Sequence, residues 1–202
     1  MMAVTHVLVG MALASAVVWV APEFAPLAVV AGALGGAFPD FDLYVGHRRT
    51  LHYPVYGSVA GVGALAGALT RPSALTVALA CFLLAAGAHA AMDALGGGLE
   101  LKPWERTSER AVYSHFHDTW LRPRRWVPYD GAPEDLVLSA AVALPLLALH
   151  GPLLSRPVVV LLLVGAGYTL LRRRLADVWA ALVAAAPPAL VAYLPERFVA
   201  AR

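Results

Sequence analysis

Charge is what this chain has least of. Charged residues fill 14% of its 202 positions, hydrophobic residues fill 60%, and the mean hydropathy is +0.69. A soluble domain carries about 25% charged and about 45–50% apolar residues, so the scarcity excludes that class and points to an integral membrane protein. Cysteine is nearly absent as well. Cys81 stands alone, which excludes an intrachain disulfide and any cysteine-based zinc site. No Lys or Arg precedes Arg48. The first apolar stretch therefore lacks the basic start of a signal peptide, despite the small residues Ala14-Ser15-Ala16, and reads as a retained helix. A net charge of +2 with no basic recognition helix excludes nucleic acid as a partner.

What is there is apolar sequence in runs. Ala3–Val20, Ala25–Phe38, Val55–Thr70, Ser73–Leu95, Leu136–His150, Pro157–Leu171 and Leu175–Leu194 predict an all-α, polytopic helical membrane protein with about six or seven transmembrane helices. A perpendicular span takes about 20 residues, so the second, fifth and sixth runs are short. Residues 1–202 form one integral membrane domain. Within it, 1–95 carries the motifs, 96–134 is a polar segment rich in proline, and 135–202 holds the C-terminal helices. Pro39 should end the second run at Phe38, and Gly96-Gly97-Gly98 should end the fourth through a left-handed glycine cap. Gly57/Gly61 and Gly63/Gly67 are GxxxG pairs that suit close helix packing in lipid.

With seven spans, the N-terminus, the loop 39–54, the segment 96–134 and a loop at 172–174 share one membrane face. That face holds eleven basic residues: Arg48, Arg49, Lys102, Arg106, Arg110, Arg122, Arg124, Arg125, Arg172, Arg173 and Arg174. The other holds Arg71, Arg156, Arg197 and Arg202. Basic loops stay cytoplasmic. The expectation is a multi-pass protein of the cell (inner) membrane with the first face in the cytoplasm.

The same face gathers the groups able to do chemistry. His6 opens the first helix. Asp40 and Asp42 open the next loop and should point the same way if the chain is extended after Pro39. His47 and His52 follow, and His89 and Asp93 lie at i and i+4 on the last turns of the fourth helix. Imidazole and carboxylate are ligands for zinc, manganese or iron. An ionisable residue within a membrane run is costly and usually has a partner and a role. Seven candidate ligands exceed one four-coordinate zinc. Either two metals bind, or one binds and the remaining residues orient ligands and move protons. Trp104, Trp120 and Trp126 among arginines suit a segment at headgroup level. His115 and His117 read as part of a polar lid.

His6, then Gly35-Gly36-Ala37-Phe38-Pro39-Asp40-Phe41-Asp42, then His47-Arg48-Arg49-Thr50-Leu51-His52, then His89-Ala90-Ala91-Met92-Asp93 together resemble the YdjM-like family of membrane-bound metal-dependent hydrolases. The resemblance covers about the first half of the chain. It implies His6, Asp40, Asp42, His47, His52, His89 and Asp93 as metal or catalytic residues. Phe38 replaces the usual leucine, and Leu51-His52-Tyr53 replaces a Thr-His-Ser, so a serine hydroxyl is missing. The expected activity is metal-dependent hydrolysis of a lipid or phosphoester at the cytoplasmic leaflet of the bilayer. Asp42 is the expected general base, and Arg48 or Arg49 is expected to hold an anionic oxygen. The competing readings are a metal-ion or proton transporter, which would place ionisable groups at mid-membrane, and a non-catalytic membrane scaffold, which would bind no metal.

Overall fold

Each of the first five apolar runs becomes one helix in a computed structural model that describes residues 1–199, the side chain of Glu196 apart. α1 is Ala3–Ser15, prolonged by the turn Val17–Val20, and α2 is Ala25–Ala37. α3 is Tyr56–Thr70, α4 is Ala74–Asp93, α5 is Pro133–Leu149 and α6 is Pro152–Ala185. Ser73 starts α4 with a capping box: its hydroxyl accepts the Thr76 N–H, and the Thr76 hydroxyl accepts the Ser73 N–H. Four stretches are long and apolar enough to cross a membrane: Ala3–Val20, Pro22–Asp42, Ala74–Asp93 and Pro152–Ala185. Tyr56–Thr70 is apolar but shorter. Leu13, Val30, Val62, Leu79 and Leu163 lie exposed on the helices, as a bundle solvated by lipid requires.

The interior is assembled from small residues. α1 packs on α2, α2 and α3 pack on α4, and α5 joins α1 to α6. Leu8, Met11, Ala28, Val29, Ala80, Ala143 and Leu146 form the buried core. Lipid offers helices no hydrophobic drive to associate, so association rests on close van der Waals approach. Gly32 of α2 supplies it: a β-carbon there would overlap the Gly10 carbonyl oxygen of α1. Of the two GxxxG pairs, Gly57 and Gly61 lie against Gly87 and Leu84 of α4, whereas Gly63 and Gly67 face open space.

The structure departs from the sequence reading in four places. Phe38 keeps right-handed helical angles before Pro39, and a 3₁₀ turn, Phe38–Asp42, follows α2. α4 ends at Asp93, and none of Gly96, Gly97 or Gly98 has a positive φ. The polar segment holds a β-hairpin, β1 (Val112–Ser114) antiparallel to β2 (Thr119–Leu121), with Val112 opposite Leu121. The sixth run and most of the seventh are one 34-residue helix, α6, with Arg172-Arg173-Arg174 inside it rather than in a loop. Arginine and alanine are good helix formers, and no proline or glycine lies between Leu171 and Ala185.

The charge of Arg172 is absorbed rather than exposed. Its Nε donates to Asp130 Oδ2 at 2.9 Å, and its second guanidinium nitrogen donates to Asp130 Oδ1 at 3.1 Å and to the Leu101 carbonyl at 3.0 Å. The Tyr168 hydroxyl donates to the same carboxylate. Burial alone would raise the Asp130 pKa, but the Arg172 guanidinium and these hydrogen bonds hold it below the usual range. After α6 the chain folds back through the short turns Pro188–Val191 and Glu196–Val199, and the Trp179 indole donates to the Phe198 carbonyl. Arg197, expected at the opposite face, therefore returns to the end that carries Asp40 and His47. Arg202 lies outside the described residues.

Arg172→Ala should cost about 3 kcal/mol, because it strands a largely buried carboxylate. Thermal unfolding in detergent measures this. A carboxyl with a depressed folded value stabilises the fold above its ordinary pKa and loses that contribution as the pH falls through the folded value. Wild type should therefore lose stability below about pH 4, and Arg172→Ala should lose less over the same range. Equal stability of the two proteins at pH 7 would show that the pair contributes nothing.

Candidate metal centre

Four elements deliver the histidines and aspartates to one point. α1 presents His6 one turn from its start, the 3₁₀ turn presents Asp40 and Asp42, the loop after it presents His47 and His52, and α4 presents His89 and Asp93. The glycine stripe of α2 makes this possible. A β-carbon at Gly36 would overlap the His6 carbonyl oxygen, so α1 comes close enough for the His6 and His89 rings to stack, with centroids 3.6 Å apart. The Gly36 carbonyl also accepts a hydrogen bond from His89 Nδ1 at 2.6 Å. Backbone of α2 thereby holds the Nδ1–H of a side chain on α4 and turns its Nε2 toward Asp40 and Asp93.

Asp93 is the hub and is fully buried. Its Oδ1 lies 3.3 Å from His6 Nε2 and 3.3 Å from the Met1 amine. Its Oδ2 lies 3.2 Å from His52 Nε2, 3.3 Å from Arg48 Nε and 3.6 Å from His89 Nε2. His89 Nε2 is also 3.6 Å from Asp40 Oδ1. Yet His6 Nε2, His52 Nε2, His89 Nε2 and Asp93 Oδ2 are buried with no hydrogen-bond partner among the described residues, as are His6 Nδ1 and Arg48 Nε: they are close but not aligned to donate and accept. Nearly all buried polar atoms in folded proteins are paired. Four that converge unpaired are arranged as ligands are. Bonds of about 2.1 Å to a tetrahedral ion put ligand atoms about 3.4 Å apart, close to the 3.2–3.6 Å separations here. The trios His6/His89/Asp93 and Asp40/His52/His89 each bring three ligand atoms within 4.8 Å of one another, and the group can hold a metal ion.

All seven residues expected from the sequence come together, but not in the same role. In a 3₁₀ turn, with three residues per turn, positions i and i+2 point apart. Asp40 therefore turns to His89 and Asp42 to the loop, where an extended chain would have aligned them. Asp42 Oδ1 accepts from His47 Nδ1 at 3.1 Å and the Arg48 N–H at 3.3 Å. Its Oδ2 accepts from His52 Nδ1 at 2.9 Å and the Leu51 N–H at 3.0 Å. Every acceptor position of Asp42 is engaged, and it stands outside both trios. Burial pushes the His47 imidazole down to about 4, against the pull of Asp42, so it is neutral at physiological pH. His52 is raised despite its burial, because Asp42 and Asp93 bracket it. Arg48 also turns inward, with φ +59°: its guanidinium donates to the Gly97 carbonyl at 2.9 Å and the Ala111 carbonyl at 3.4 Å. Arg49 lies over the Tyr113 ring, and its carbonyl accepts from His115. His117 bonds Ser114. The hairpin histidines therefore stand apart from the centre.

A cavity of about 470 Å³ adjoins the centre. Asp40, His47 and Arg48 form its site wall, and Leu43, Glu100, Val164 and Arg197 are among its other lining residues. The places of Glu100 and Arg197 in this wall were not visible in the sequence. Arg197 becomes placeable once the two last apolar runs merge and the chain end changes face.

No family model matches the chain, and neither a curated protein nor a solved structure matches it. The resemblance drawn from the sequence therefore rests on the order of its motif residues alone.

Gly36→Ala should destabilise the fold by about 1–3 kcal/mol, the usual cost of overpacking, and should part the His6 and His89 rings. Thermal unfolding in detergent reads the first effect. A variant as stable as wild type would show that the α1–α2 approach does not constrain the centre.

Proposed function

We propose that the chain is a membrane-embedded, metal-dependent hydrolase that holds one divalent ion at the end of its helix bundle. The observation that carries this is the convergence of four buried ligand atoms left without hydrogen bonds. His6, His52, His89 and Asp93 would hold the ion, and Asp40, with a side chain 30% exposed, would stand at the open edge. Both trios need His89, which has one free nitrogen, so they describe one ion and not two. Three imidazoles with one or two carboxylates suit zinc best, and manganese or iron as well. When bound, such an ion supplies Lewis acidity and activates water. Asp42 and His47 are positioning residues in this reading. Asp42 holds His52 by its Nδ1, the carboxylate–histidine arrangement that orients a metal ligand, and with every acceptor position engaged it is a poor general base. Arg48 secures the loop from inside: one terminal nitrogen donates to two backbone carbonyls, and its Nε lies 3.3 Å from Asp93 Oδ2.

The substrate would be a lipid or phosphoester admitted through the cavity, whose wall includes Val164 of a membrane helix. The YdjM-like motif order supports the hydrolase reading over the transporter. So does the apolar core that Leu8, Met11, Ala28 and Val29 form in the bundle, with no charged side chain among them. The uninterrupted α6 favours six spans over seven, with the N-terminus, the polar segment and residues 186–199 on the side of the centre. Twelve basic residues then share that side, against Arg71 and Arg156 on the other. That bias favours the cytoplasm.

Elemental analysis of purified protein tests the central claim. Wild type should carry about one divalent ion per chain, and His89→Ala and Asp93→Asn should each lose it while still inserting. Asp42→Asn should weaken retention about 10–100-fold in chelator competition. Variants that retain as much metal as wild type would reduce the cluster to an internal hydrogen-bonded group. Orientation is tested separately. A cysteine at position 49 should resist an impermeant thiol reagent in intact cells and label after permeabilisation, and ready labelling from outside would reverse the topology.

A further inference from the structure

Two charged side chains of the cavity are left over once the metal centre and the Asp130–Arg172 pair are set aside. Arg197 Nε and one of its terminal nitrogens are buried without a hydrogen-bond partner among the described residues. Both carboxylate oxygens of Glu100 are in the same condition. Among the other lining charges, Asp130 is engaged by Arg172 and Tyr168, Arg48 donates through one terminal nitrogen to backbone carbonyls, and Asp40 lies 3.6 Å from His89. A buried charge without a hydrogen bond is costly, and the charges around Arg197 are of both signs, Arg48 and Arg172 against Asp130 and Asp40. Arg197 and Glu100, each with unpaired polar atoms, thus both line a cavity that also has apolar walls, Leu43, Leu99 and Val164 among them.

We infer that this cavity is the binding site for a phospholipid whose head carries an N–H or O–H donor beside its phosphate. Arg197 receives the phosphate oxygens, since a guanidinium matches them in a forked geometry. Glu100 accepts the hydrogen bond of the neighbouring ammonium or hydroxyl. The apolar walls take the start of the acyl chains. A cavity of about 470 Å³ is of the size that holds small amphiphiles. The same cavity brings the head alongside Asp40 and His47, the open side of the metal centre. The inference deepens the hydrolase reading by naming its substrate class, and it rests on that reading only for what happens after binding.

The test uses the full chain in detergent, with dioctanoyl phosphatidylethanolamine, dioctanoyl phosphatidylcholine, dioctanoylglycerol and inorganic phosphate as probes, and with metal content measured on every sample. Wild type should bind the ethanolamine lipid at least tenfold more tightly than the choline lipid, which has no N–H donor. Dioctanoylglycerol and free phosphate should bind more weakly still. Arg197→Gln should weaken both phospholipids about tenfold or more, and Arg197→Lys, which keeps the charge but loses the fork, should fall between. Glu100→Gln should erase the preference for ethanolamine. Arg174→Gln, an exposed arginine elsewhere on α6, should change nothing. Equal binding of the two phospholipids, wild-type affinity in Arg197→Gln, or free phosphate binding as tightly as the lipid would each overturn the inference. Metal content separates the two claims. Lost discrimination with metal retained sinks the lipid site alone, and absent metal with discrimination intact sinks the metal reading alone.

Discussion

A carboxylate buried at the end of an apolar bundle has to be surrounded by groups that stabilise its charge, and Asp93 imposes that demand on this fold. It sits on the last turn of α4, sealed from solvent, and residues from α1, the loop 43–55 and α4 itself stand around it. Much of the surrounding structure can be read as the means of bringing them there. The glycine stripe of α2 lets α1 approach. The 3₁₀ turn aims Asp42 at the loop, and the two backbone N–H groups that donate to Asp42 curl the loop so that His52 returns to the hub. A few charges inside an otherwise apolar molecule thus organise the packing of several helices.

The polar segment completes the end of the bundle in another way. Thr5 on α1 donates to Asp135 at 2.6 Å, and the Met2 and Gly131 N–H groups donate to its other oxygen. This ties the start of α1 to the start of α5. The hairpin docks on the loop through the Tyr113 N–H, which donates to the Arg48 carbonyl. Arg172 and Arg173 each lie 5.3 Å from the Trp104 ring centroid, and Trp104 stands edge-on to Tyr129. These contacts shield the flank of the centre and leave the cavity as its approach.

The parts of the fold legible in the sequence were those governed by short-range rules. Apolar runs and prolines located five helices within a few residues. The spacing of His89 and Asp93 placed both on one helix face, and an even number of spans between motifs brought them to one end. What escaped was decided by contacts between distant segments. Three arginines in a row read as a loop because a charged triplet is costly in lipid, and only the distant Asp130 and Leu101 show how a helix carries Arg172. Asp40 and Asp42 look equivalent in sequence, and the turn type separates them. Nothing in the sequence showed that one guanidinium nitrogen of Arg48 donates to Gly97 and Ala111. Asp135 and Glu100 gave no signal, since a lone acidic residue reads the same whether it is buried or solvated.

The length of α6 has a mechanical consequence. Its 34 residues extend about 51 Å, against a hydrocarbon core of about 30 Å, and the Arg172 clamp sits a little past the middle. The helix cannot slide along its own axis without breaking that clamp. For a helix held this way in a bilayer, a change in thickness would be taken up by tilt or local bending about the clamp beside the cavity rather than by sliding, so it would reach the cavity as an angle rather than a displacement.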